Sequence, residues 1–151
     1  MKRKIIVIFM FIMFSFSLNA QTIETLQSRY IEHLRSLGIT GTVNDTDVRF
    51  RFSDANFLVR IEPQFPNALF LYLPGIIRLE TDEMYTKAAR VVLDLSQSFH
   101  GCEFFLHDDD LVGIRVIQFF QSPDDFKIHF MDFLGSLLNL GGEFRRRYQM
   151  L

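Results

Sequence analysis

Four histidines, a single cysteine and a run of three aspartates are the side chains here with the types to do chemistry. No two of His33, His100, His107 and His129 stand four apart, and no second cysteine joins Cys102. The spacing of a structural or catalytic zinc site is therefore missing. Asp108, Asp109 and Asp110, with His107 beside them, could offer oxygens to a divalent cation. Calcium takes six to eight oxygens, and the tract lacks both the spacing and the glycine of a calcium loop, so a solvated hairpin turn is expected. His100, Cys102 and Glu103 hint at a thiol nucleophile. On a strand, His100 and Cys102 share one side and Glu103 takes the other. Cys102, Phe104 and Leu106 then alternate together, and a thiol among apolar groups is inert. His129, between Phe126 and Phe133, reads as a packed or boundary histidine. No nucleophile elbow, phosphate-cradling glycine loop or dinucleotide fingerprint occurs. No catalytic residue, metal or cofactor is expected.

Arginine and aromatic residues give the more informative pattern. Arg49 and Arg51 alternate with Val48, Phe50 and Phe52, and Arg60 stands opposite in phase to Val59 and Ile61. A strand with one apolar and one cationic side has this rhythm. Arg49, Arg51 and Arg60 together would form a cationic patch on the open side of a sheet. That patch is either the polar side of a half-exposed sheet or the seat of an anionic or peptide partner. Phe70, Tyr72 and Phe105 alternate away from the Leu69, Leu71, Leu73 and Cys102, Phe104, Leu106 sets. Both sides of those strands are thus apolar, and a partner or a second copy is expected to cover the outer one.

The elements that must carry these residues follow from periodicity. Ile23, Leu26, Tyr30, Leu34 and Leu37 draw one stripe of a helix over 21–37, with Thr22 to cap it and Gly38 to end it. Strands follow at 48–52, 57–61 and 68–73, joined by short turns at 53–56 and around Pro63, Pro66 and Asn67. A strand at 38–43 has little pattern behind it. Pro74-Gly75 is expected to close this meander. Thr81, Asp82 and Glu83 open a second helix over 81–95. A hairpin over 102–106 and 111–120 comes next. Ser122, Pro123, Asp124 and Asp125 then start a last helix, which Gly141-Gly142 should break or end. The expected fold is α+β: an antiparallel sheet of about five strands with three helices, in the order α-β-β-β-α-β-β-α.

Residues 1–20 read as a signal peptide. Lys2, Arg3 and Lys4 precede an apolar run over 5–14, and Ala20 offers a small residue at the cut. The run is shorter than the roughly 20 residues of a membrane span. Of 151 residues, the remaining 21–151 form one domain without linker or repeat. The leader holds three of the sixteen basic residues and none of the eighteen acidic ones, so the remainder carries a formal charge of −5. An acidic domain, periplasmic or secreted, is a poor partner for nucleic acid. The basic cluster Arg145, Arg146 and Arg147 reads as a solvated helix end.

With its opening amphipathic helix, its meander, the helix after Thr81, the hairpin and the helix after Ser122, the chain resembles the YbjN-like domains and the related type III secretion chaperone fold. In those chaperones the fold forms an acidic homodimer that holds an extended peptide segment. YbjN-like domains have no defined biochemical activity. The resemblance implies a binding role and supplies no catalytic residue. The chaperones are cytoplasmic, and the leader departs from that. The expected function is an exported, non-enzymatic, self-associating module that binds protein or peptide through its sheet. A carrier with a phenylalanine-lined cavity for an apolar ligand, or an enzyme of unassigned type, are the alternatives.

Overall fold

A computed structural model describes residues 23–96, 101–107 and 109–151. Thr22, His100, Asp108 and the expected leader lie outside the described residues. The first helix, α1, covers residues 23–36. Gly38 ends it at φ 74°, and the Ile39 amide donates back to the Leu34 carbonyl at 2.8 Å. The sheet has six strands: β1 (Gly41–Asn44), β2 (Asp47–Phe52), β3 (Ala55–Arg60), β4 (Ala68–Arg78), β5 (Cys102–Leu106) and β6 (Leu111–Phe119). Every neighbouring pair is antiparallel, in the order β1-β2-β3-β4-β6-β5. Helix α2 (Asp82–Ser96) links β4 to β5, and α3 (Phe126–Met150) ends the order. Among the described residues no helix is long and apolar enough to cross a membrane.

Local chemistry explains most of these boundaries. Ser53 and Asp54 both take positive φ, 48° and 64°, the two-residue turn whose twist suits a hairpin. Thr81 Oγ1 accepts the Met84 amide at 3.3 Å and so caps α2. Ser122 Oγ accepts the Asp124 amide at 3.4 Å, and the Asp125 carboxylate accepts the Ser122 amide at 3.0 Å. Ser122 thus serves this turn twice, its hydroxyl taking the Asp124 amide and its own amide going to the Asp125 carboxylate. Bonds from Asp125, Lys127 and Ile128 reach back three residues, so this first turn is tight and the α-helix proper begins at Phe126.

Three expectations need correction. The sheet gains β1, which pairs with β2 from Gly41 opposite Phe50 to Asn44 opposite Asp47. A Cβ on Gly41 would lie 2.8 Å from Leu34 Cδ1 and 3.0 Å from Ile31 Cδ1, so its hydrogen lets α1 lie down on the strand. Pro74-Gly75 does not close the meander. Gly75 sits at φ 70°, in a register shift between Leu73 and Ile77, and β4 resumes against β6 with Ile77 opposite Val112 and Arg78 opposite Leu111. Gly141-Gly142 neither breaks nor ends α3, which runs for 25 residues. A Cβ on Gly141 would stand 3.2 Å from Leu73 Cδ2, and the close approach of helix to sheet needs that glycine. Leu140, Phe144 and Tyr148, buried beside and beyond it, hold the helix in place.

All three helices cover one side of the sheet. Val48, Phe50, Phe57, Val59, Leu69, Leu71, Ile114 and Val116 face them in a single core. Helix α3 buries Phe126, Phe130, Leu134, Leu137 and Phe144 in that core, each worth about 1.5–3 kcal/mol relative to exposure. Helix α1 packs at its start, with the Tyr30 and Phe126 rings 4.4 Å apart. Helix α2 packs at its end, where Arg147 pairs with Asp94 and Lys87 Nζ lies 4.5 Å above the Tyr148 ring.

Candidate functional site

Strand register assembles the opposite side of the sheet. Arg49, Leu58, Tyr72, Arg115 and Glu103 make one row across five adjacent strands, β2, β3, β4, β6 and β5. Asp47, Arg60, Phe70 and Ile117 make the next row. Arg51, Phe105 and Phe119 stand on the same side by parity. Arg49, Arg51, Arg60, Phe70, Tyr72 and Phe105 therefore share one face, and it is the face the helices leave open.

The charges on that face alternate. Arg60 Nε stands 3.4 Å from Asp47 Oδ1, Arg51 pairs with Asp54 at 3.0 Å, and Arg115 pairs with Glu103 at 2.8 Å. The Glu103 hydrogen bond makes Arg115 hold its proton more tightly than usual. Arg49 alone among these four arginines makes no ion pair with a described residue. The exposed Arg51–Asp54 and Arg115–Glu103 pairs contribute about 0–1 kcal/mol each. Their main effect is to convert a cationic field into a neutral, hydrogen-bonding frame around the aromatic residues.

Part of the apolar surface is covered from within. Phe105 lies over Gly113, where any Cβ would clash with the ring at its Cζ. The same ring meets Tyr72 edge-on at 5.5 Å, and the Arg60 guanidinium sits 5.4 Å from the Tyr72 centroid on the other side. Tyr72 is consequently only 8 % exposed although no helix covers it. At the other end of the face the rings are bare. Phe65 meets Phe70 at 6.3 Å and Phe119 at 5.9 Å, yet Phe65 is 47 % and Phe119 59 % exposed.

This architecture has known counterparts. No family model matches the chain, and no curated protein matches it in sequence. Solved structures match it in fold. YbjN from E. coli, described as a candidate transcription regulator, aligns with a TM-score of 0.55 at 12 % identity, over 75 % of this chain and 84 % of that one. The fold is YbjN-like. An uncharacterized protein from Methanothermobacter thermautotrophicus aligns with a TM-score of 0.54 at 10 % identity, over 82 % of this chain and 99 % of that one.

Within this YbjN-like fold Cys102, Asp110 and His129, also singled out from the sequence, have ordinary environments. Burial raises the Cys102 thiol above its usual pKa, which lowers its thiolate fraction. Asp110 accepts the Tyr85 hydroxyl and ties the hairpin to α2. His129 is exposed and stacks on Phe120 at 6.2 Å. Tyr30, Phe50, Phe57, Phe126 and Phe130, the kind of residues a carrier cavity would need, meet ring to ring at 4.4–6.0 Å. Sequence reasoning missed Phe65, Phe119, Arg115 and Glu103. The alternation of Arg115, Ile117 and Phe119 carried the needed signal; Phe65, in a proline-flanked loop, carried none.

Proposed function

We propose that the protein is an exported, non-enzymatic module that grips an extended segment of a protein or peptide partner on the open face of its sheet. The exposed cluster of Phe65 and Phe119 beside Phe70 carries this reading. Contiguous bare aromatics on an otherwise well-packed domain mark interaction surfaces. Arg49, next to Leu58 in the same sheet, supplies an uncommitted cation. The favoured partner segment therefore combines an aromatic or aliphatic residue for the phenylalanine cluster with a carboxylate for Arg49. Export is supported by Lys2, Arg3 and Lys4 ahead of the apolar run and by Ala20 at its end. The description of YbjN as a candidate regulator agrees with a binding role, and the formal charge of −5 after removal of the leader favours a protein over a nucleic acid.

A displayed library of random peptides tests the reading. Selection should enrich segments with that pattern, and binding should vanish with Phe65→Ser/Phe119→Ser while Leu93→Ser on α2 leaves it intact. Enrichment insensitive to the double substitution would remove the open face from consideration. Export has its own check: amino-terminal sequencing of the recovered protein should begin at Gln21.

A further inference from the structure

Helix α3 carries two stripes, and only one of them is buried. The second runs Ile128, Met131, Gly135, Leu138, Gly142, with spacings of three, four, three and four, the seam of a helix that pairs with another. Ile128 is 75 % and Met131 41 % exposed, and Leu138 is half-buried at the border with the core. Cβ atoms on Gly135 and Gly142 would point into open space. Each glycine inside a helix costs about 1 kcal/mol relative to alanine. Gly141 has a reason in its contact with Leu73; among the described residues nothing lies within 4 Å of a Cβ at Gly135 or Gly142 to give them one.

Charge runs along the same helix. Asp124, Asp125 and Asp132 outnumber Lys127 toward its start, and Arg145, Arg146 and Arg147 outnumber Glu143 toward its end, so a net charge of each sign remains although Asp124 pairs with Lys127, and Arg146 and Arg147 pair with Glu143. Parallel copies would set like charges together, whereas antiparallel copies set each group against its opposite. Glycines seven residues apart allow two such helices to approach within about 8 Å.

We propose that this outer face of α3 pairs antiparallel with the same face of a second copy, across a two-fold axis at Gly135. In that register Ile128 of each copy enters the gap at Gly142 of the other, and Asp124 faces the Arg145-Arg146 end. Size and charge are both self-complementary, as a two-fold interface demands. The contact lies across the molecule from the open sheet face and is independent of the peptide-binding proposal.

Cysteine scanning in a Cys102→Ser background decides the matter. Under mild oxidation Gly135→Cys should form a covalent dimer, because the two sulfurs meet on the axis. Gly142→Cys should not, since antiparallel pairing separates those positions by about 21 Å along the helices, against the roughly 7 Å limit for a disulfide. Absence of the first cross-link, or efficient formation of the second, would overturn the proposal. Sedimentation supplies a second arm without cysteines: the unsubstituted protein should self-associate with concentration, and Ile128→Glu should make it monomeric. A strict monomer, or a dimer indifferent to Ile128→Glu, would equally reject it.

Discussion

Phe57 and Phe119 are the same residue type on the same sheet, one sealed from water and the other largely exposed. The side that holds Phe57 is closed by α1, α2 and α3. The side that holds Phe119 is covered only by its own side chains, with Phe105 lying over Gly113 and Arg60 over Tyr72. An identical alternation of side chains thus ends in two physical roles, and coverage decides which. Packing should dominate the response to substitution on the closed side, and recognition on the open side.

The largest expected effect lies on the closed side. Phe130→Ala removes a fully buried ring packed edge-on to His33 and Phe126 and tilted against Phe50. Urea denaturation should show a loss of about 3–5 kcal/mol. Gly141→Leu comes next. It forces a branched side chain into the contact with Leu73, and overpacking of this kind costs about 1–3 kcal/mol by the same measurement.

Acid should act on the closed side first. His33 sits edge-on to Phe126 and Phe130 with Nε2 buried and unpaired. Its pKa is lowered, mainly by burial and secondarily by Lys127. The unfolded chain therefore binds the proton more readily than the folded one. Its stabilising contribution is complete above the unfolded value near 6.5 and is lost as pH falls through the lower folded value. His33→Phe should flatten the stability profile as pH falls below neutral; an unchanged profile would exclude His33 as its source. Glu143 acts in a separate window. Hydrogen bonds from Arg146 and Arg147 hold it at about 2, so its contribution persists until the pH drops below its ordinary 4.5 and disappears toward 2.

The smallest effect on stability is expected on the open face. Phe119→Ser should change the unfolding free energy by less than about 0.5 kcal/mol, yet lose most peptide binding. A large destabilisation there would erase the distinction between the two sides.

Much of the closed side was legible from residue spacing alone. Val48, Phe50 and Phe52, then Phe57, Val59 and Ile61, announce their strands, and Thr81 and Ser122 announce their helices. The misreadings share one cause. Gly41–Asn44 lies at an edge, exposed over most of its length, and carries no alternation. Pro74-Gly75 and Gly141-Gly142 are local breakers overruled by distant partners, Val112 and Leu111 on β6 in the first case and Leu73 on β4 in the second. The candidate face was legible by parity, which grouped Arg49, Arg51, Arg60, Phe70, Tyr72 and Phe105. Its charge balance was not, because the pairing of Arg60 with Asp47 and of Arg115 with Glu103 depends on register between strands.

The position of α3 in chain order has a kinetic consequence. Phe126, Phe130, Leu134, Leu137, Leu140, Phe144 and Tyr148 are the core's last arrivals, and the sheet they close has its central strands β4 and β6 separated by all of α2 and β5. A nascent polypeptide displaying only the earlier segments holds half an oily interior with no lid, a species prone to clumping unless something shields it. Closure of this interior therefore waits on α3, and a polypeptide lacking residues 126–148 would leave it open.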